Sequence, residues 1–358
     1  MAATPHVLVV GAGIVGASIA RYLAKAGARV TVVEAGEPGG VATRSSWAWI
    51  NASSGNPEPY FRLRHRSQEE WRRVEREVLG LPVTWSGSLN WSRAPKELEA
   101  FAAERIAWGY DLRRVGPAEI RRLEPELAAT PDLALHVPGE GSVEPVAAAL
   151  AFLADARRLG ASLAANTRVE RLEMSGGRVV GIRTSEGVID ADEVVVASGT
   201  GTPQVLASSG VVLPMRRSPA LLVRSRPQAR LLNGLLVSPE MELRQTADGR
   251  LLAVGDIDDA DIDDASKPAA ALFEQVRALI RSGAALALDS HAVGYRPIPK
   301  DGYPAVGRAG GVQGLYVAVM HSGITLAPIV GCFACQEIVE GKRDPLLAPY
   351  GFDRFAGG

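Results

Sequence analysis

Residues 6–10, HVLVV, form a short run closed by glycine, and the SIARYLAKAG segment behind them spaces its apolar residues three and four apart. The first pattern predicts a buried strand and the second a helix. The next run, VTVVE, ends at Glu34, so the chain opens as strand, turn, helix, strand. A longer amphipathic helix is predicted from about Glu58 to Leu79, and beyond it the period changes. Segments 83–92 (VTWSGSLNWS), 211–225 and 235–255 alternate as antiparallel strands do, with turn signals at Ser-Gly and Asp-Gly. Interleaved with them are a helix at 145–159, a strand pair around 161–189 and a buried strand in DEVVVASG (192–199). A helix at 268–283, a strand in GLYVAVM (314–320) and an apolar helix from about Leu326 to Glu340 complete the pattern.

These elements predict an α/β protein, α+β overall: a Rossmann-type dinucleotide-binding unit with an interleaved antiparallel-sheet unit. A chain of 358 residues exceeds one domain of roughly 100–200 residues. The expected division is 1–82, 140–210 and 290–358 for the dinucleotide unit, and 83–139 and 211–289 for a substrate-binding unit. Composition narrows the partners. Hydrophobic residues are 47%, charged residues 22%, and the net charge is −1, so a polyelectrolyte such as nucleic acid is not an expected partner. The apolar N-terminus lacks a basic leader, and no stretch offers the roughly 18 uninterrupted apolar residues that span a bilayer. A cytoplasmic location is expected. Cys332 and Cys335 are the two cysteines and imply no disulfide framework, and the histidines show no metal-ligand spacing. The acidic stretch 256–264 lacks the glycine and closing glutamate of a calcium loop, so no metal is expected.

VLVVGAGIVG carries G-x-G-x-x-G at Gly11, Gly13 and Gly16, between a predicted strand and a predicted helix. The first glycine permits a tight turn, the second lets the backbone approach a pyrophosphate, and the third lets helix and strand pack closely. Ile14 and Val15 open the helix, whose unpaired N–H groups face the phosphates. Glu34 ends the second strand, with Ala35 beside it, where a carboxylate accepts hydrogen bonds from ribose hydroxyls and disfavours a 2′-phosphate. The motif alone does not separate FAD from NAD.

Four further stretches resemble the family of FAD-dependent D-amino-acid, glycine and sarcosine oxidases, with glycine oxidases most similar. The first is GVATRSSWAWI (40–50), where the family has a hydroxyl-rich loop running past the pyrophosphate toward the flavin. The resemblance implies cofactor contacts from Thr43, Arg44, Ser45, Ser46 and Trp47. The second, 141–173, brings Val169 to the adenine side, and the third, DEVVVASGTGT (192–202), brings Gly199 against the cofactor. The fourth is GYRPIPKDGYPAVGR (294–308) with LYVAVMHSGITLAPIVG (315–331), in which Arg296 falls on the family's carboxylate-binding arginine. A guanidinium holds a carboxylate by two parallel hydrogen bonds, which lysine does not. The turn at His321, Ser322, Gly323, Ile324 and Thr325 is expected to aim backbone N–H groups and a helix N-terminus at the flavin, steadying negative charge that develops there. A catalytic role for His321 beside the ring is weighed against a hydrogen-bonded loop histidine.

Two stretches depart from the family. Trp47 and Trp49 stand where relatives have small residues, and alternation along an extended segment places both on one face, to roof the pocket or to pack in the core. At about Glu242, glycine-oxidase relatives place a tyrosine that assists the arginine; here a carboxylate, or the neighbouring Met241, is expected to face substrate. The cysteines do not fall on the family's flavin-attachment position, so FAD is expected to be non-covalent. The resemblance implies a small amino-acid-type substrate, hydride transfer from its α-carbon to flavin, imine hydrolysis, and O2 giving hydrogen peroxide. The alternatives left open are a D-amino-acid dehydrogenase or 2-hydroxy-acid oxidoreductase with another electron acceptor, a nicotinamide-dependent dehydrogenase, and a non-catalytic flavin-binding subunit. The sequence does not fix the oligomeric state.

Overall fold

The computed structural model describes residues 5–355, so the outermost ends of the expected dinucleotide unit, 1–4 and 356–358, lie outside the described residues. Strand β1 (His6–Val10) is buried along its whole length because it is central in a six-stranded sheet covered on both faces. It pairs in parallel with β2 (Arg29–Val33) on one side and with Glu193–Val196 on the other. Leu315–Val319 extends the sheet in parallel, and Ala305–Arg308 closes that edge antiparallel. Alternation sorts the side chains. Val7 and Val9 pack with helix α1 (Ile14–Lys25), Pro145–Arg158 and Gly323–Cys335, whereas Leu8 and Val10 pack under a three-stranded meander spanning 169–190.

An eight-stranded sheet forms the second layer system, from Leu288–Tyr295 through Pro219–Ser225, Leu251–Gly255 and Glu242–Gln245 to Arg113–Val115. Its one parallel pairing among the described residues joins Leu235–Val237 to Ser88–Asn90. Helix Ser266–Leu279 covers the outer face, where Met241, Leu243, Leu272 and Phe273 share a core. Trp47, Ala220, Leu222, Leu252 and Val254 cluster on the other face, toward the cavity described below.

Several elements differ from the sequence expectation. The expected strand pair at 161–189 is an edge strand, Ser162–Ala164, followed by the meander. The helix expected at 268–283 ends at Leu279, and Leu288–Tyr295 crosses the expected boundary at 290 while pairing with Pro219–Ser225. The last helix starts at Gly323 and continues as a π turn over Gln336–Glu340. By length and composition alone the segment Gly323–Glu340 could cross a membrane, but Leu326, Ala327, Ile329 and Val330 are buried in the core with α1.

Pro328 lies inside that last helix and has no N–H to give the carbonyl of Ile324. Helix α2 (Val41–Arg44) lies near the first glycines, and α3 (Glu58–Glu77) supplies what Pro328 cannot. The fully buried Trp71 donates its indole N–H to the carbonyls of Ile324 and Thr325, at 3.1 and 3.0 Å, and Ser67 Oγ donates to Thr325 at 2.6 Å. The first turn of the helix is thus held from outside the helix.

Candidate active site

The three glycines of the motif do three different jobs. Gly11 has φ +107°, and a Cβ there would stand 2.6 Å from the carbonyl oxygen of Ala197. At Gly16 a Cβ would stand 2.0 Å from the Gly11 carbonyl oxygen, so this residue serves helix–strand packing and does not line the cavity. Gly13 faces the cavity, and a Cβ at Gly40 would stand 2.9 Å from its Cα. Two bare backbones therefore face each other across the mouth of α1. Thr43 Oγ1 accepts the first helical N–H, that of Ile14, at 3.1 Å and replaces a local cap.

The cavity begins here, has a volume of about 1290 Å³ and runs unbroken to the eight-stranded sheet. That exceeds the roughly 300–1,000 Å³ of a single-ligand pocket and leaves room for a dinucleotide with a small substrate at its end. At one end stand Glu34, Ala35 and Val169; the Glu34 carboxylate is preset by the N–H groups of Ala12 (2.7 Å) and Gly36 (3.1 Å). Along the middle lie Gly11, Gly13, Ile14, Val15, Thr43, Arg44, Ser45, Ser46 and Gly199. At the far end are Trp47, Trp49, Glu242, Arg296 and the turn from His321 to Thr325. Neither cysteine lines it; Cys335 Sγ instead contacts the carbonyl of Tyr22 on α1. A glycine-walled cradle at a helix N-terminus, with a carboxylate fixed at the end of β2, fits the pyrophosphate and ribose of FAD.

Met241 is a correction. Successive residues of a strand face opposite sides, so Glu242 and Met241 cannot both reach the cavity. Glu242 takes the cavity face, and Met241 packs outward with Leu243. The tryptophans are a partial correction. The chain between them is not extended, since Ala48 has φ +66°, yet the two rings meet edge to face with centroids 5.3 Å apart. Trp47 donates to the Leu252 carbonyl (3.2 Å) and Trp49 to the buried carboxylate of Glu140 (3.0 Å), so both pack and line the cavity. The carbonyl of Trp47 accepts from buried Arg244 at 2.7 Å.

Arg296 is held loosely. Its guanidinium donates to Pro219 O at 3.3 Å and Ser218 Oγ at 3.5 Å, and exposed Asp256 lies 3.9 Å away. Both are long bonds, which leaves the guanidinium most of its strength for a ligand. His321 projects into the cavity with one long contact, 3.5 Å from Nδ1 to Ser322 Oγ. The surrounding protein, and then the cations Arg64, Arg296 and Arg216, push its pKa down to about 4, so it is a neutral imidazole near pH 7. The hydroxyl of Thr325 is committed to the Trp49 carbonyl (2.9 Å) and the Asn51 N–H (3.3 Å).

Arg64 escaped the sequence reading because it sits in a charged helix that resembles a solvated face. It is buried, lines the cavity, donates to the backbone and side chain of Asn51 at 3.0 and 2.6 Å, and bonds Ser322 Oγ. Its pairing with Asn51, thirteen residues upstream, is invisible to helical periodicity. Arg64→Met keeps the apolar stem but leaves the buried Asn51 carbonyl without its side-chain donor, a loss of roughly 1–3 kcal/mol, while Asn51 Oδ1 keeps its bond from Ser54. FAD affinity is expected to fall about tenfold, read by titrating the apoprotein with FAD.

The sequence profile of the family described as FAD dependent oxidoreductase matches residues 6–336. A protein named glycine oxidase from Pseudomonas aeruginosa is 28% identical, the match covering 96% of this chain and 97% of that protein. A D-amino acid dehydrogenase from Cereibacter sphaeroides is 28% identical over 75% of this chain and 65% of its own length. The crystal structure of glycine oxidase from Geobacillus kaustophilus superposes with a TM-score of 0.86 at 25% identity, covering 98% of this chain and 99% of that one. With that profile matched over nearly its whole length and the cradle for the cofactor in place, the chain belongs to the FAD dependent oxidoreductase family.

Proposed function

We propose that this enzyme oxidises the C–N bond of a glycine-like or N-substituted amino acid and passes the electrons to O2. One observation carries the reading: the loosely held guanidinium of Arg296 opens into the same cavity as the glycine cradle, at the end opposite Glu34. A bidentate clamp on a carboxylate fixes the direction of the α-carbon as well as its place. In this reading Gly11, Gly13, Ile14 and Val15 hold the pyrophosphate, and Glu34, Ala35 and Val169 the adenosine end. Residues Thr43 to Trp47, Gly199 and the turn His321–Thr325 flank the ring. When bound, FAD supplies the acceptor for the hydride that leaves the substrate. Trp47 and Trp49 limit the side chain and shed water from the reacting carbon, and neutral His321 offers a hydrogen bond without adding charge. The glycine oxidase names among relatives support the substrate class; the dehydrogenase relative makes the acceptor the point to test.

Purified protein is expected to be yellow, and its colour to bleach anaerobically with glycine, sarcosine or a longer N-alkyl glycine. Bleaching by 2-hydroxy acids alone would refute the reading. Return of colour in air, with one hydrogen peroxide per substrate, supports O2; return only with a quinone or dye assigns a dehydrogenase.

A further inference from the structure

Among the acidic residues that line the cavity, Glu34, Glu37 and Glu170 belong to segments at the dinucleotide end, and Glu242 stands with Arg296. Glu242 lies directly across the sheet from Val254, so both project toward Trp47 and Ala220. Among the described residues its carboxylate accepts no hydrogen bond and makes no ion pair. A half-buried carboxylate facing a cavity without a protein partner is costly unless a ligand supplies one. The clamp on the opposite charge is Arg296, so a zwitterion fits the pair: its carboxylate on the arginine, its ammonium on Glu242.

We infer that Glu242 is the base that takes the proton from the substrate's ammonium group, and that it thereby selects amines over hydroxy acids. The inference rests on the amino-acid reading above. The α-carbon gives up a hydride only when the nitrogen lone pair is free to form the C=N bond, so an ammonium must lose a proton first. In the step an N–H bond breaks, an O–H bond forms on a Glu242 oxygen, and no electrons change hands; the proton returns to water when product departs.

The groups facing Glu242 set when it can act. Burial raises its pKa to about 7; Arg296 and Arg64 oppose that rise and Asp256 adds to it. Close to neutrality the residue is thus partly carboxylate, the condition for an effective base. His321, also in the cavity, is pushed down to about 4 and is the weaker base of the two.

The test compares wild type, Glu242→Gln and Glu242→Asp, each first checked for FAD content and melting temperature. The second-order rate constant of wild-type anaerobic bleaching, measured at limiting substrate, should rise with pH through about 7. Glu242→Gln should bleach about 100-fold more slowly at pH 7.5, with its rise moved to the alkaline range of the amine itself. Glu242→Asp should restore part of the neutral rise. Binding gives a second reading, followed by perturbation of the visible spectrum. N,N,N-trimethylglycine, a fixed cation, should lose about tenfold in affinity in Glu242→Gln, and methoxyacetate, which has no cation, should not. A Glu242→Gln protein with the wild-type pH profile and unchanged trimethylglycine affinity overturns the assignment of Glu242. Wild type bleached by no amino acid instead overturns the amino-acid reading.

Discussion

Arg296→Ala is expected to lower the second-order rate constant of anaerobic bleaching by about 100- to 1000-fold, a loss of about 3–4 kcal/mol in transition-state stabilisation. The size follows from how little else the guanidinium does. Its protein contacts are two long hydrogen bonds and a distant, exposed Asp256, so truncation removes little stability and most of the loss falls on the ligand. FAD content and melting temperature should therefore stay close to wild type. Arg296→Lys should recover only part of the rate, because an ammonium keeps the charge but not the planar fork. A variant bleached at the wild-type rate would show that the carboxylate binds elsewhere.

Gly16→Ala is expected to cost about 3 kcal/mol or more in stability and to release FAD, although Gly16 does not line the cavity. An added Cβ would lie 2.0 Å from the carbonyl oxygen of Gly11 and 3.1 Å from its carbon. Both belong to backbone and cannot swing aside, so α1 must lift from β1 and carry Ile14 and Val15 with it. Gly27→Ala, at the other end of the same helix, is the control. Its φ of +85° makes alanine strained, but nothing lies within 4 Å, and a loss of about 1 kcal/mol with FAD retained is expected. Thermal melting with and without FAD separates the two. Equal effects would mean that α1 absorbs the added Cβ at little cost and that contact with Gly11 is not the reason for glycine at position 16.

The cofactor half of the site was legible because its contacts are local. Gly11 to Gly16 and Glu34 are joined by one strand, one helix and one more strand, and the geometry of such a unit follows from its periodicity and its glycines. The resemblance to amino-acid oxidases likewise led to Arg296 and to the turn at His321, both of which line the cavity. The substrate wall was less legible. Alternation predicted a strand at 241–245 but not which of its faces turns inward, so Met241 and Glu242 both stood as candidates until helix Ser266–Leu279 was seen to claim the Met241 side. The left-handed residue Ala48 broke the alternation expected of Trp47 and Trp49.

Arg64 and Glu140 mark the limit most clearly. Arg64 looked like one more cation in a solvated helix, and fully buried Glu140 carried no motif at all. Yet Glu140 accepts from Trp49, Ser88, Tyr110 and the N–H groups of Ala52 and Ser53, and Arg64 fastens Asn51 to the turn at Ser322. By itself the sequence determined the βαβ cradle and the two kinds of sheet, since each depends on spacing along the chain, whereas Arg296 was reached through the family resemblance. Which charged side chains are drawn inward, and toward what, was decided by the tertiary structure alone, because burying a charge requires partners that come from distant parts of the chain.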